Sequence, residues 1–339
     1  MKLTNTTLEA LEYILPPYIV TSEQIENELS ETMQRLNLPK GLLKSLTGIN
    51  ERRVWSLDKE PSEAATAAAE KAIETSGINP GEIGCIINTS VCRDYIEPSV
   101  SCLVHGNLKL SRHCLNFDIS NACIGFFNAI EVISMMIESG RIKYGLIVNG
   151  ETSGELLDCT VKRLKNPGST IEDYRNNFAS LTLGSAGVAA IIGPAECSKT
   201  NHLFNGLVGL ADTRYNRLCM GQHDNMKSDA TSLMKHGVNL AHKTWQLAEQ
   251  ELKNWSDDEI DIYIPHQVSQ KNIEMLNNVL KITPQKQQLI FMKFGNMGPA
   301  AVPVSLKMAE EHGKVVSGSH IAMLGIGSGL NCSMMSMTW

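Results

Sequence analysis

An internal duplication constrains the fold of this sequence more than any other feature. Three pairs of similar segments lie 177 residues apart, and their first residues are Ile83 and Ile260, Phe117 and Phe294, and Gly145 and Ala322. A constant offset over this span indicates two related units rather than a chance similarity between α/β segments. We therefore predict two related halves, at residues 1–195 and 196–339.

Each half has the pattern of alternating strands and helices, in the order β-α-β-α-β-α-β-β. Strands separated by helices of a dozen or more residues predict a mostly parallel sheet in each half. A fourth pair of similar segments, which begin at Gly184 and Gly329, lies only 145 residues apart. The smaller offset places about 32 extra residues in the first half, within 151–181. We expect this insert to be a long functional loop.

Composition excludes several classes of function. The chain has 339 residues, a net charge of −6, 42% hydrophobic residues and 19% charged residues. An acidic chain is a poor ligand for nucleic acid, and its hydrophobic content is sufficient for a folded core. No apolar run is long enough to span a membrane, and we expect no signal peptide. The nine cysteines lack paired spacing, which favours reduced thiols in a cytoplasmic protein.

Cys123 is placed where a thiol is readily activated. An apolar segment that ends at Ile119 predicts a strand, and the helical spacing of apolar residues after Cys123 predicts a helix that Gly140 terminates. Unpaired backbone N–H groups at a helix N-terminus stabilise a thiolate. We predict that Cys123 is a nucleophile and that the other eight cysteines are small buried residues.

Two polar residues of the second half are predicted to join Cys123. His266 comes directly after the apolar segment 260–265, and Asn296 follows a predicted strand and precedes a predicted helix. By the offset of 177, His266 corresponds to Thr89, and the Asn296 loop corresponds to the Cys123 turn. Sites of open α/β sheets lie at strand ends, so two symmetric halves would bring these residues together. A thiol beside two neutral donors fits acyl-thioester chemistry, which develops an oxyanion.

The glycine-rich run at 324–333 does not predict a nucleotide site. A terminal strand follows it rather than a helix, so it lacks the helix N-terminus that binds phosphate. We expect a turn that directs a backbone N–H into the site as part of an oxyanion hole. The histidines and cysteines at 102–114 lack the spacing of a zinc site, and we expect no metal ion.

Several motifs resemble those of the thiolase superfamily, in its ketosynthase III branch (3-oxoacyl-acyl-carrier-protein synthase III). They are TGINERR at 47–53, NACIG at 121–125, PHQ at 265–267 and GNMGPA at 295–300. Within that branch, the stretches 87–98, 148–152 and 324–334 are most similar to the olefin-biosynthesis ketosynthases. The resemblance covers nearly the whole chain and implies the five-layered α-β-α-β-α thiolase-like fold of two duplicated βαβαβαββ halves.

The resemblance also implies a reaction. It is a non-decarboxylative Claisen condensation of two long-chain acyl-CoA molecules, which yields a 2-alkyl-3-oxoacyl product and needs no cofactor beyond the CoA thioesters. Cys123 would carry the first acyl chain, and the backbone N–H groups of Cys123 and Ser328 would form one oxyanion hole. His266 and Asn296 would hold the other thioester oxygen. By similarity, Glu97 is the base and reaches the partner's site in a homodimer. An unactivated acyl-CoA has to be deprotonated, which requires such a carboxylate.

Other assignments remain open at the level of sequence. Arg52 and Arg53 are candidates for binding the phosphates of CoA or an acidic carrier protein, or for structural ion pairs. The alternative function is a decarboxylative 3-oxoacyl-acyl-carrier-protein synthase III that uses a malonyl thioester and does not depend on Glu97. A plain acyltransferase or thioesterase, and a non-catalytic ketosynthase-like subunit, are further alternatives. Downstream lipid-processing enzymes are possible partners.

Overall fold

The structure is a computed structural model that describes residue 3 and residues 5–339. The first half contains, in chain order, β1 (Thr6–Ile14), β2 (Tyr18–Thr21), α1 (Ser22–Glu28), α2 (Ser30–Arg35), α3 (Leu42–Thr47), β3 (Glu51–Val54), α4 (Pro61–Ser76), β4 (Ile83–Asn88), α5 (Val100–Asn107), β5 (Leu115–Asp118), α6 (Gly125–Glu138), β6 (Tyr144–Glu151), α7 (Gly154–Leu164), α8 (Ile171–Asn177) and β7 (Ala186–Pro194). The second half contains β8 (Leu203–Ala211), β9 (Cys219–Gly221), β10 (Met226–Ser228), α9 (Ala230–Glu251), β11 (Ile262–Pro265), α10 (Gln270–Leu280), α11 (Phe291–Phe294), α12 (Ala301–Glu311), β12 (His320–Gly327) and β13 (Asn331–Thr338).

The strands of the two halves repeat one arrangement. Their order is β5-β4-β6-β7-β1 in the first half and β11-β12-β13-β8 in the second, and the two groups meet between β1 and β8 through the single pair Thr7 and Leu203. In each half, one strand (β7 or β13) runs antiparallel to its neighbours, and the other strands share one direction. The predicted duplication is therefore present, but each sheet is mixed rather than mostly parallel, because the single reversed strand makes two of the four pairings in the first half and two of the three in the second antiparallel.

The chain packs into five layers, which three hydrophobic cores hold together. The central core contains residues of α6 and α12 and the inward residues of both strand groups. A second core joins α4 and α5 to the outer face of the first strand group, and a third joins α9 to the outer face of the second. Strand β4 shows how the sequence does this: Cys85 and Ile87 face the central core and Ile86 faces the outer one, because successive strand residues point to opposite faces. A register irregularity between Ile83 and Cys85 places Ile83 in the outer core as well. The expected thiolase-like fold is confirmed.

The second half departs from the prediction at the strand expected before Asn296. That strand is reduced to one isolated parallel bridge between Tyr263 and Gln287, and the residues directly before Asn296 form the short helix α11. Gln267 explains the change, because its side chain accepts hydrogen bonds from Ile290 N (2.7 Å) and Phe291 N (3.0 Å) and donates to Gln288 O (2.8 Å). These side-chain hydrogen bonds of Gln267 take the place of the backbone hydrogen bonds that a strand would form with its neighbour.

The insert is helical rather than the long loop expected. Its helices α7 and α8 pack with α1, α2 and α3 around a separate small core that includes Leu29, Leu43, Val161 and Tyr174. Its own sequence supports this, since the Thr170 side chain caps α8 in a reciprocal capping box with Asp173. The insert therefore forms a packed helical cover next to the sheet ends.

Among the residues that the structure describes, no helix combines the length and the apolar character needed to cross a membrane.

Close packing of α4 on β6 gives a stability prediction. A Cβ atom at Gly150 would lie 2.0 Å from Pro61 O, which is backbone and cannot move aside. We expect Gly150→Ala to lower the free energy of unfolding by about 3 kcal/mol, measured by urea denaturation. Gly106→Ala is the control, because Gly106 lies in α5 with no atom within 4 Å of the added Cβ. Equal stability of the two variants would contradict the packing argument.

Candidate active site

The ends of several strands open into one large cavity. Cys123, His266, Asn296 and Ser328 all line it, and its volume is about 1860 Å³. Typical small-molecule pockets measure roughly 300–1,000 Å³, so this cavity has room for ligands longer than an ordinary metabolite. The three side chains that the sequence singled out are therefore brought to one place by the two halves.

Cys123 lies in a tight turn between β5 and α6. The turn is a 3₁₀ segment, Ala122–Ile124, and α6 begins at Gly125, two residues after Cys123. Strand β12 lies against it, because a Cβ at Gly327 would be 3.2 Å from Cys123 N. Glycine at position 327 therefore lets the second half approach the nucleophile turn.

The Cys123 thiol is not the stabilised thiolate that the helix N-terminus predicts. Its pKa is raised to about 12, mainly by burial and in smaller part by the nearby Cys219 and Glu151. Desolvation disfavours the charged sulfur more than the few backbone dipoles of the turn favour it. In the structure, Cys123 is therefore a neutral thiol at pH 7.

His266 is a neutral imidazole fixed at the end of β11. Its backbone N–H donates to Leu324 O on the neighbouring strand β12 (2.7 Å), and the residue is buried. Burial lowers its pKa to about 4. Within the described residues, no group hydrogen-bonds to the buried Nδ1 atom. A neutral ring supplies one donor and one acceptor, which suits a site that stabilises an oxyanion.

Asn296 is held with its amide group oriented. Its Oδ1 atom accepts from Gly298 N (3.0 Å), its backbone N–H donates to Thr182 O (2.9 Å), and its carbonyl accepts from Gly184 N (2.9 Å). Since Oδ1 is engaged, the NH₂ group is the donor left to the cavity. The adjacent Gly295 has a φ of +65°, which an ordinary residue adopts only at a cost.

Ser328 lies in the turn between β12 and β13, as the glycine-rich run predicts. A strand follows this turn rather than a helix, which agrees with the rejection of a nucleotide site. Ser328 lines the cavity together with Gly327 and Cys219, and its side chain lies beside the Cys219 thiol. The turn is therefore close to the nucleophile.

Glu97 is not in the cavity of its own chain. It is exposed on the loop between β4 and α5, and it is absent from the cavity lining formed by the described residues. Its neighbours Tyr95 and Ile96 project as well, with Ile96 95% exposed. Glu97 therefore cannot act as a base in the cavity of its own chain.

The structure corrects the expectation for the two arginines. Arg52 is fully buried, and its guanidinium donates to Leu181 O (2.8 Å), Val20 O (3.2 Å) and Ser22 Oγ (3.2 Å). Arg53 donates to Pro16 O (3.2 Å). Neither arginine lines the cavity formed by the described residues. The prediction of phosphate binding is therefore wrong for Arg52. Its role is structural, because it joins β2 and the insert through backbone carbonyls.

Sequence reasoning missed Glu151. This buried residue at the end of β6 lines the cavity, and desolvation raises its pKa to about 7. Two sequence features point to it: it is the polar end of an apolar strand, and the offset of 177 makes it the counterpart of Ser328.

Family models identify both halves. The model for 3-oxoacyl-[acyl-carrier-protein] synthase III matches residues 117–205, and the model for the C-terminal part of that enzyme matches residues 251–339. Together the matches cover more than half of the chain.

Similar proteins match along the entire chain. The sequence is 40% identical to the acyl-CoA:acyl-CoA alkyltransferase of Xanthomonas campestris pv. campestris, over all of both chains. It is 36% identical to the protein of that name from Shewanella oneidensis, again over all of both chains. Identity to the β-ketoacyl-[acyl-carrier-protein] synthase III of Natranaerobius thermophilus is 27%, over 99% of this chain and 100% of the relative.

Solved structures give the same result as the sequence comparisons. The cerulenin-bound crystal structure of X. campestris OleA superimposes with a TM-score of 0.98 and 40% identity, covering 100% of this chain and 98% of that one. A cysteine-to-serine OleA variant with bound lauric acid and lauroyl-CoA gives a TM-score of 0.97 and 39% identity, over 99% of this chain and 100% of that one.

The neutral state of Cys123 gives a pH prediction. Because its thiol pKa is raised to about 12, the alkylation rate by iodoacetamide at Cys123 should rise about tenfold per pH unit between pH 7 and 10, without a plateau. Mass spectrometry of the peptide that contains Cys123 measures this rate. A plateau below pH 8 would instead show an activated thiolate.

Proposed function

Because the chain belongs to the ketosynthase III branch of the thiolase superfamily, we propose that it joins two long-chain acyl-CoA molecules by a non-decarboxylative Claisen condensation. The observation that carries this proposal is the convergence of Cys123, His266 and Asn296 in a single cavity of about 1860 Å³. The two full-length relatives that are 40% and 36% identical are acyl-CoA:acyl-CoA alkyltransferases. Relatives named β-ketoacyl-[acyl-carrier-protein] synthase III match at 27%, which favours the acyl-CoA reaction over the decarboxylative alternative.

The first step is acyl transfer to Cys123. The sulfur attacks the thioester carbonyl of the first acyl-CoA, its proton leaves, and the C–S bond to CoA breaks, which releases CoA as the thiol. The backbone N–H groups of Cys123 and Ser328 are the proposed donors to the oxyanion of this step. Since the thiol is neutral at the start, the proton has to leave as the new bond forms, and the neutral His266, which lines the same cavity, is the candidate acceptor.

The second step forms the carbon–carbon bond. Glu97 takes a proton from the α-carbon of the second acyl-CoA, while His266 and the Asn296 NH₂ group hold the thioester oxygen as it gains negative charge. The α-carbon attacks the acyl group on Cys123, and the C–S bond to Cys123 breaks. The sulfur regains a proton, and the product is a 2-alkyl-3-oxoacyl-CoA. This chemistry uses no cofactor beyond CoA.

A second copy of the chain supplies Glu97 in this proposal. A general base has to come within roughly 2.6–3.2 Å of the proton that it removes, and Glu97 lies outside its own cavity. Beside it, β5 is at the edge of the described sheet, and Leu115 and Phe117 of that strand are more than one third exposed. An unpaired edge strand flanked by exposed apolar side chains is suited to pairing with another copy. A homodimer through this edge would carry Glu97 toward the partner's cavity.

The apolar part of the cavity suits long acyl chains. Its lining includes leucines of the α2–α3 region and apolar residues of the insert and of α9, namely Leu36, Leu38, Leu42, Leu46, Ile171, Phe178, Leu233 and Met234. These lie outside the sheet ends, so the cavity extends away from Cys123. Transfer of the product to downstream lipid-processing enzymes and a cytoplasmic location stay predictions from sequence.

Product analysis tests the reaction. With one long-chain acyl-CoA and no malonyl donor, the protein should release CoA and form a 2-alkyl-3-oxo acid or the ketone that remains after loss of CO₂, both detected by mass spectrometry. Cys123→Ala should form neither product nor acyl-enzyme. Glu97→Ala should form the acyl-enzyme but condense about 10²–10⁴-fold more slowly.

Glu196→Ala is the control for that series, because Glu196 is exposed and away from the cavity. It should condense at the normal rate. Product formation only after addition of a malonyl thioester would refute the non-decarboxylative reaction, and free fatty acid alone would indicate hydrolysis.

The dimer has its own test. We expect Ile96→Asp to convert the dimer into monomers, because a charge would replace a side chain buried by the partner. Analytical ultracentrifugation measures the mass. Val316→Asp, which changes another exposed apolar residue, should leave the mass unchanged. A monomeric wild-type protein would contradict the proposed delivery of Glu97.

A further inference from the structure

Glu151 is a buried acid that the proposed reaction does not use. It lines the same cavity as Cys123, and its charge acts against the nucleophile, since it raises the pKa of the Cys123 thiol. Burial of a carboxylate is itself unfavourable. Glu151 thus opposes formation of the Cys123 thiolate and also costs free energy to bury. We therefore expect it to have another role that offsets these two costs.

The contacts of Glu151 show where that role lies. Its Oε1 atom accepts from Val91 N (2.9 Å) and from Asn149 Nδ2 (3.2 Å), and its Oε2 atom accepts from Cys92 N (3.4 Å). Val91 and Cys92 lie near the start of the loop that leads from β4 to Glu97. The carboxylate therefore holds the stem of this loop from inside the cavity.

The rest of the loop is fixed by contacts with neighbouring elements. The Asp94 carboxylate accepts from Ser62 N (3.1 Å) and Ser62 Oγ (2.5 Å) at the start of α4, and Arg93 pairs with Asp118 (3.5 Å). Between these anchors and Pro98, the residues Tyr95, Ile96 and Glu97 project into solvent. The direction of Glu97 thus depends on both anchors.

We infer that Glu151 is a positioning residue, which holds the loop 91–99 so that Glu97 is delivered to the site of the partner. The inference rests on the proposed function, in which Glu97 acts across a dimer. It links the cavity of one chain to the condensation step of the other. Glu151 is thereby required in the chain that donates Glu97, and not in the chain whose Cys123 carries the acyl group.

Separation of the two steps is the first readout. In Glu151→Gln, one of the two oxygen acceptors becomes an NH₂ donor, which cannot accept from a backbone N–H. We expect normal formation of the acyl-enzyme by intact mass, together with a condensation rate lower by ~100-fold, the cost of a misplaced catalytic group. Asp94→Asn, which weakens the contact of the same loop with Ser62, should likewise leave acyl-enzyme formation normal and slow the condensation. Loss of acyl-enzyme formation in Glu151→Gln would place Glu151 at Cys123 and overturn the inference.

Mixed dimers give the decisive test. A Cys123→Ala chain and a Glu97→Ala chain, co-expressed with different tags, form a dimer with one complete site, built from Cys123 of the second chain and Glu97 of the first. Glu151→Gln is then added to either chain. We expect condensation to fall about 100-fold when the substitution is in the chain that provides Glu97, and to stay within about twofold of the reference when it is in the chain that provides Cys123.

Each outcome has one meaning. Both arrangements contain one Glu151→Gln chain, so a general loss of stability would lower both equally, and an equal loss would overturn the inference. A larger loss in the Cys123 chain would also overturn it. Glu9→Gln in the Glu97 chain is the matched control, because Glu9 is likewise buried and accepts from Lys199 N (3.1 Å) outside the cavity, and it should leave condensation unchanged. A mixed dimer that is inactive before any change at position 151 would refute delivery of Glu97 across the dimer, which is a failure of the proposed function itself.

Discussion

The site depends on the direct contact between strand β12 of the second half and the nucleophile turn of the first. A Cβ at Gly325 would lie 2.6 Å from the ring of Phe127, and one at Gly327 would lie 3.2 Å from Cys123 N. Side chains at these two positions would separate the halves by the width of a methyl group or more. With glycine there, the Ser328 turn and His266, which bonds to β12 through Leu324 O, are placed beside Cys123. The packing of the two halves thus creates the site.

Low polarity then governs the chemistry. Burial keeps Cys123 and His266 neutral at pH 7, since it raises the thiol pKa to about 12 and lowers the imidazole pKa to about 4. Neutral donors in a poorly solvated site stabilise a developing oxyanion more strongly than they would in water, because the local dielectric is low and the donors are already oriented. Asn296 fits this principle, as its Oδ1 atom is held by Gly298 N and its NH₂ group is left to act.

The segments that shape the cavity lie around the sheet ends. The helices of the insert and the α2–α3 region extend the cavity with apolar side chains, and the loop that carries Glu97 projects away from it. A rigid scaffold with variable connecting segments commonly separates binding specificity from the core in this way. Glu151 is the point at which the two meet, because it belongs to a central strand but bonds to the projecting loop.

The sequence alone determined the duplication, the strand–helix order outside the segment before Asn296, and the three residues that line the cavity, because apolar periodicity and repeat offset depend on local pattern. It also located the glycine-rich turn correctly. Tertiary structure decided what depends on distant neighbours. Gln267 replaced the strand before Asn296 with a helix, and burial reversed the expected pKa shift of Cys123. Burial also converted Arg52 from a candidate ligand for phosphate into a structural link, and Glu151 acquired its partners from a loop 60 residues away. Desolvation and long-range hydrogen bonds are properties of the packed chain, so no local pattern in the sequence contains them.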